Sequence, residues 1–159
     1  MTTLYVRKGS AFRESDDHDI LTRAHALVAQ RYQRGTPAMA DPARTAEFLR
    51  IHLGARDHEV FGLLHLNSRL RLIAVEDLFR GSLTESAVYP REVIKSVLSH
   101  GSAAVILYHN HPSGDSEPRA SDQMLTQKLK SLLALIDVRV LDHLIVADQI
   151  FSFANAKLL

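Results

Sequence analysis

The segment Ala103-Ala104-Val105-Ile106-Leu107-Tyr108-His109-Asn110-His111-Pro112-Ser113-Gly114-Asp115 decides how the rest of the chain is read. An apolar run of strand length, with Val and Ile in it, leads directly into two histidines. Such a run fits a strand buried on both faces. Side chains on a strand alternate, so His109 and His111 point one way and Asn110 points the other. Their Cα atoms are then about 7 Å apart, close enough for both imidazoles to turn onto one ion with Zn–N bonds of about 2.0–2.1 Å. Pro112 ends the strand because it has no N–H to donate. Ser113-Gly114 turns the chain.

Ten residues separate His111 from Asp122. Leu125, Leu129, Leu132, Leu133 and Ile136 follow Asp122 at spacings of 3, 7, 10, 11 and 14, which is one face of an α-helix. Asp122 heads that apolar face and aims inward, where an unpaired carboxylate is costly. A metal ion at the strand end would neutralise it. Two imidazoles and one carboxylate leave a fourth position open, as in catalytic zinc sites. Taken singly, a strand histidine is a satisfied core residue and a first-turn Asp serves the helix dipole. The three together read as a metal site. The ligand types favour zinc, although iron, cobalt and manganese accept the same set.

The spacing His109-x-His111, ten residues, Asp122 resembles the motif of JAMM (JAB/MPN-type) zinc metalloproteases. The longer string His109-Asn110-His111-Pro112-Ser113-Gly114, with Glu117-Pro118 and Asp122 after it, resembles the RadC branch of that superfamily. So does Val138-Arg139-Val140-Leu141-Asp142-His143-Leu144-Ile145-Val146. The resemblance runs from about Asp41 to the C-terminus. It implies a cytidine-deaminase-like α/β fold of mixed α+β character, with a mixed central sheet flanked by helices. It also implies one zinc ion and a glutamate general base from an early strand.

Metal-activated water needs a proton acceptor beside it, and spacing alone leaves Glu59, Glu76, Glu85 and Glu92 open. Glu59-Val60-Phe61-Gly62-Leu63 resembles the Glu-x-x-Gly-x-Leu start of many JAMM proteins, which makes Glu59 the expected base. The family usually has a serine three residues before the aspartate, near the developing oxyanion. Here Arg119 holds that position, and the nearest serine is Ser121. Arg119 offers a fixed positive charge to an oxyanion. Ser121 is the other oxyanion candidate, on condition that the helix start shifts, and is equally explained as a helix-capping or first-turn residue. Asp142 and His143 face opposite ways, so either one alone can orient a ligand. His65 and His100 show no partner pattern.

One chain of 159 residues suits one domain with a sizeable core. Its apolar fraction of 46% and charged fraction of 23% are those of an ordinary globular protein. The chain has no cysteine, which excludes disulfides and thiolate metal sites and fits a cytoplasmic protein. Met1 to Lys8 lack the apolar core of a signal peptide, and no apolar run approaches the ~20 residues of a membrane helix.

Residues 1–14 read as an extended arm, and Ser15-Asp16-Asp17 as the start of a helix that Gly35 ends. Thr36 to Ala40 read as a linker, giving an arm and helix over 1–40 and a RadC-like JAB/MPN domain over 41–159. Asp41-Pro42 opens a helix with Ala46, Leu49 and Leu53 on one face. Glu59–Leu66 and Leu70–Val75 form a hairpin signal around Asn67-Ser68. Leu78 to Leu83 suggest a separate strand. Pro90 to His100 read as a helix with Val93, Val97 and Leu98 inward. Val138–Val146 and Ile150–Phe153 close the chain as a hairpin.

These readings favour a zinc hydrolase that acts on a peptide or isopeptide-like amide. The alternative is a DNA-repair factor or metal-dependent nuclease, since His-Asn-His spells the name of a nuclease motif and RadC carries a repair association. Nucleases of that name hold their histidines much farther apart in sequence. A formal net charge of +1 gives no sign of a phosphate-binding surface.

Overall fold

A strand buried on both faces needs a layer of helices on each side, and the chain supplies them. The structure is a computed structural model that describes residues 5–8, 11–33, 41–54, 56–81 and 88–159. The described residues form β1 (Tyr5–Lys8), β2 (Ala11–Glu14), α1 (Asp17–Gln33), α2 (Pro42–Leu53), β3 (Val60–Leu66) and β4 (Leu72–Arg80). They continue with α3 (Pro90–Ser99), β5 (Ala104–Asn110), α4 (Ala120–Ala134), β6 (Arg139–Val146) and β7 (Ile150–Ser152). β1 and β2 pair by themselves. The other five strands make one mixed sheet in the order β4-β3-β5-β6-β7. β5 is central, antiparallel to β3 and parallel to β6, which it reaches through α4.

Alternation along β5 divides the core. Ala104, Ile106 and Tyr108 join Phe48, Leu49 and Leu53 of α2 on one face. Val105 and Leu107 join Val93 and Val97 of α3 and Leu129 and Leu133 of α4 on the other. His109 follows the second set, so it points towards α4. Burying each large apolar side chain stabilises the fold by about 1.5–3 kcal/mol.

Local chemistry fixes the ends of the elements. The Asp41 carboxylate accepts from Ala43 N–H at 3.0 Å and caps α2. Gly101 follows α3 with φ at 60°, a conformation glycine adopts freely. Beneath the first face, Asp77 of β4 gathers three donors. Tyr108 Oη donates to its carboxylate at 2.6 Å, His52 of α2 lies at 2.7 Å and Arg56 donates at 2.9 Å. Burial works against the charge of Asp77, but these partners prevail and bring its pKa down to about 2.

Three expectations change. Residues 5–14 include a two-stranded ribbon rather than a featureless arm. Leu78 to Arg80 continue β4 instead of starting a new strand, because the pairing with β3 runs on to Val60↔Arg80 through a bulge at Phe61/Gly62. Leu98 is 61% exposed, since the inward stripe of α3 runs through Val93, Ser96 and Val97. Gly35, the proposed linker over 36–40, and Ser82 and Leu83 lie outside the described residues.

Two predictions follow from this packing. A Cβ on Gly62 would overlap the Tyr108 phenol and the Glu76 carbonyl. Gly62→Ala therefore costs about 1–3 kcal/mol in urea unfolding. The Asp77 carboxyl is lowered on folding, so its contribution is complete above its unfolded value near 4 and is lost as pH falls towards 2. Across that window wild type loses about 2 kcal/mol more than Asp77→Asn, read from unfolding curves at each pH. Equal acid sensitivity of the two proteins would contradict the assignment.

Candidate metal centre

Three elements bring three ligand-type side chains together in the core. His109 is the penultimate residue of β5. His111 lies one residue past the strand, but His111 N–H still donates to Val146 O at 3.0 Å, so the parallel ladder with β6 holds its backbone. The turn after it holds the ring: His111 Nδ1 donates to Asp115 O at 2.7 Å. Gly114, at φ 85°, lets that turn close against Asp148. Asp122 is the third residue of α4, and its Oδ2 accepts from the backbone N–H of Arg119 at 2.8 Å. That is the helix-facing half of a capping box.

The two Nε2 atoms lie 3.0 Å apart. Asp122 Oδ2 is 3.8 Å from the first and 3.9 Å from the second. These separations bracket the ~3.3 Å donor–donor edge of a tetrahedral site with bonds of about 2.0–2.1 Å. All three residues are buried. The two ring planes meet at 57°, and the rings approach each other through their Nε2 atoms. Asp122 Oδ1 is buried with no hydrogen-bond partner among the described residues. Burial, with the neighbouring imidazoles and Arg119, holds His109 well below the usual imidazole range, so the ring is neutral as a ligand must be. Burial also pushes the Asp122 carboxyl up, although the Arg119 N–H works the other way. A buried carboxylate with one partnerless oxygen, and the other within 4 Å of two imidazole nitrogens, is what a divalent cation relieves. The donor set therefore fits a metal.

Asn110 turns away, as alternation requires, and does more than satisfy itself. Its Oδ1 accepts from Val60 N–H at 2.7 Å and its Nδ2 donates to His58 O at 3.0 Å. The residue between the histidines thus clamps the entry to β3. The β3–β5 register pairs Phe61 with His109. Glu59, two residues earlier, belongs to the same face. It is largely buried, and its Oε1 accepts from Arg119 Nη1 at 3.1 Å. Its charge raises the Asp122 pKa, which places it within electrostatic reach of the centre. Arg119 is the residue before α4, so one side chain links the helix head to Glu59. Ser121 is exposed in the first turn and does not cap the helix, a role taken by the Arg119–Asp122 pair.

Thr126 and a second histidine cluster escaped the sequence reading, and of the two candidates it left open to orient a ligand, His143 is the one that reaches His109. His143 is fully buried, with Nε2 at 2.8 Å from His109 Nδ1 and Nδ1 at 2.6 Å from Thr126 Oγ1. Burial brings its pKa down to about 3. Thr126 follows Asp122 by one helical turn, a signal the leucine stripe obscured. Asp142 instead braces the chain end, accepting from Ser152 Oγ and Ala154 N–H.

The second cluster of two histidines and a carboxylate is His65, Glu76 and His100, towards the opposite end of β5. Its rings are stacked 4.1 Å apart and only 20° from parallel, so their lone pairs do not meet at one point. His65 is already engaged by Ser102 at 2.8 Å and Ser96 at 3.1 Å. Burial first, then His100, brings His65 down to about 4, and the group reads as a hydrogen-bonded polar network around buried His65.

A mixed sheet covered by helices on both faces, with a buried His-x-His and helix-head Asp, defines a metal-site class that comparison narrows. The model of the RadC-like JAB domain matches residues 39–158, and the chain belongs to that family. It is 53% identical over 135 residues to a UPF0758 protein of Leptothrix cholodnii, covering 84% of this chain and 60% of that relative. It is 49% identical over 139 residues to a UPF0758 protein of Vibrio cholerae, covering 87% and 88% respectively. The family carries the expectation of a JAMM-type metal-dependent hydrolase. No helix among the described residues is long and apolar enough to cross a membrane.

Zinc added to metal-free protein at a hundred times its dissociation constant should stabilise the fold by about 2.7 kcal/mol. Thermal melts should show that rise in wild type and its absence in Asp122→Ala. A wild-type melting temperature indifferent to zinc and to cobalt would contradict the site.

Proposed function

We propose that this chain is a zinc-dependent amide hydrolase of the metallopeptidase or isopeptidase type. His109 Nε2, His111 Nε2 and the Asp122 carboxylate hold one zinc ion, and Glu59 is the general base. The observation that carries the reading is the buried Asp122 carboxylate, whose Oδ1 has no hydrogen-bond partner among the described residues and whose Oδ2 stands 3.8 and 3.9 Å from two imidazole Nε2 atoms that lie 3.0 Å apart. Zinc bound there supplies a Lewis acid that polarises an amide carbonyl and acidifies water at neutral pH.

The chain's own groups supply the rest. Three protein ligands leave room for a fourth. Glu59 takes a proton from the attacking water at its carboxylate and returns it to the leaving amine. Arg119 holds Glu59 Oε1, which limits where that carboxylate swings. Its positive charge, which acts on both His109 and Asp122, favours negative charge developing on the carbonyl oxygen. In this reading Arg119 does by fixed charge what a serine hydroxyl does in relatives that carry one. Ser121, exposed on the helix head, takes no part.

The test uses a library of peptides and isopeptide-linked lysines with wild type, Glu59→Gln, Arg119→Ala and Ser121→Ala. Glu59→Gln should bind zinc as wild type does and lose at least about 10²-fold in kcat. Arg119→Ala should lower kcat more than it raises KM, and Ser121→Ala should change neither. Full turnover by Glu59→Gln would remove it as the base. Salt-sensitive cleavage of DNA, without amide hydrolysis, would replace the proposal with the nuclease reading.

A further inference from the structure

We propose that Thr126 and His143 form a buried, one-directional positioning relay that presents the Nε2 lone pair of His109 to the metal. The inference rests on the metal site just described and concerns residues outside its ligand set.

The direction follows from proton counting. Thr126 Oγ1 lies 2.6 Å from Asp122 O. A carbonyl only accepts, and two oxygens at that distance need a proton between them, so the hydroxyl donates to it. Its one proton being spent, Thr126 Oγ1 must accept from His143 Nδ1 at 2.6 Å. His143 is then the Nδ1–H tautomer, with a lone pair on Nε2. That lone pair faces His109 Nδ1 at 2.8 Å, so His109 carries its proton on Nδ1. Its Nε2 is left bare, beside His111 Nε2 and Asp122. The reverse direction would set the Thr126 and Asp122 oxygens lone pair to lone pair. His111 reaches the same tautomer by donating Nδ1–H to Asp115 O.

The relay is also a brace. It starts on the backbone of one ligand, Asp122, and ends on the ring of another, His109. It crosses α4, β6 and β5 on the way. The His143 ring is fixed between Phe153, stacked at 4.8 Å, and Phe61, edge-on at 5.9 Å. None of the three side chains is reached by water: Thr126, His143 and His109 are each 0% exposed. Groups that orient a metal-binding histidine in this way typically govern affinity 10–100-fold. His143 and Thr126 are positioning residues, because they act through His109.

Two readouts test this, neither of them activity. The first is the zinc dissociation constant, measured by competition with a chromophoric chelator. The second is the imidazole tautomer in metal-free protein at neutral pH, read from ¹⁵N–¹H correlation spectra. Wild type should show Nδ1–H on His109 and on His143. His143→Phe keeps a ring between Phe61 and Phe153 and removes both nitrogens. Thr126→Val keeps the shape and removes the hydroxyl, and Thr126→Ser restores it. Zinc affinity should fall about 10–100-fold in the first two and stay within about threefold of wild type in the third. A purely structural role would lower the melting temperature and leave affinity and tautomer alone. Wild-type His109 protonated on Nε2 would overturn the relay even if neither disruptive variant folds. Zinc-binding wild type with unchanged affinity in both disruptive variants would overturn the relay and spare the hydrolase reading. Wild type that takes up no zinc would overturn both.

Discussion

Two imidazole nitrogens face each other at 3.0 Å in the core of this protein, and the buried Asp122 carboxylate lies within 4 Å of both, with one oxygen that has no hydrogen-bond partner among the described residues. A protein interior tolerates such a group only where a cation or proton relieves it. Much of the architecture can be read as the means of holding that arrangement. The central strand carries the two rings, the parallel ladder to β6 extends just far enough to fix the second, and the helix after the turn delivers the carboxylate. Moving any one of these elements by a single register would separate donors that now stand within 4 Å.

Support for the centre is layered. Asn110 points away from both rings, yet it pins the start of β3 and so sets where Glu59 emerges. Arg119 sits at the head of α4, gives its backbone N–H to Asp122 and its guanidinium to Glu59. The expected ligand, the expected base and the helix terminus are thereby linked through one residue. The second histidine cluster at the other end of the sheet makes the contrast plain. Its rings are nearly parallel and both nitrogens of His65 are occupied, so proximity alone does not make a cation site.

Much of this was legible in the sequence, for physical reasons. Strand alternation separates Asn110 from the histidines, and the leucine stripe puts Asp122 at the head of a buried helical face. Both periodicities are strict over short distances. What depended on three-dimensional register was hidden. Asp142 and His143 must face opposite ways, but alternation cannot say which one meets His109. A shift between Val105 and Ile106 in the β5–β6 pairing decides it, setting His143 opposite Leu107 on the α4 face. The Arg119–Glu59 pair joins residues sixty positions apart, beyond any local pattern. The bulge in β4 made one long strand read as two for the same reason. Leu98 shows the converse, since an apolar residue beside a buried stripe can still face water.

The most direct measurement of the central claim is X-ray absorption at the zinc edge of stoichiometrically loaded protein. The account predicts a first shell of nitrogen and oxygen at about 2.0–2.1 Å with outer-shell scattering from two imidazoles. A shell of oxygens alone, or scattering from a single imidazole, would contradict it.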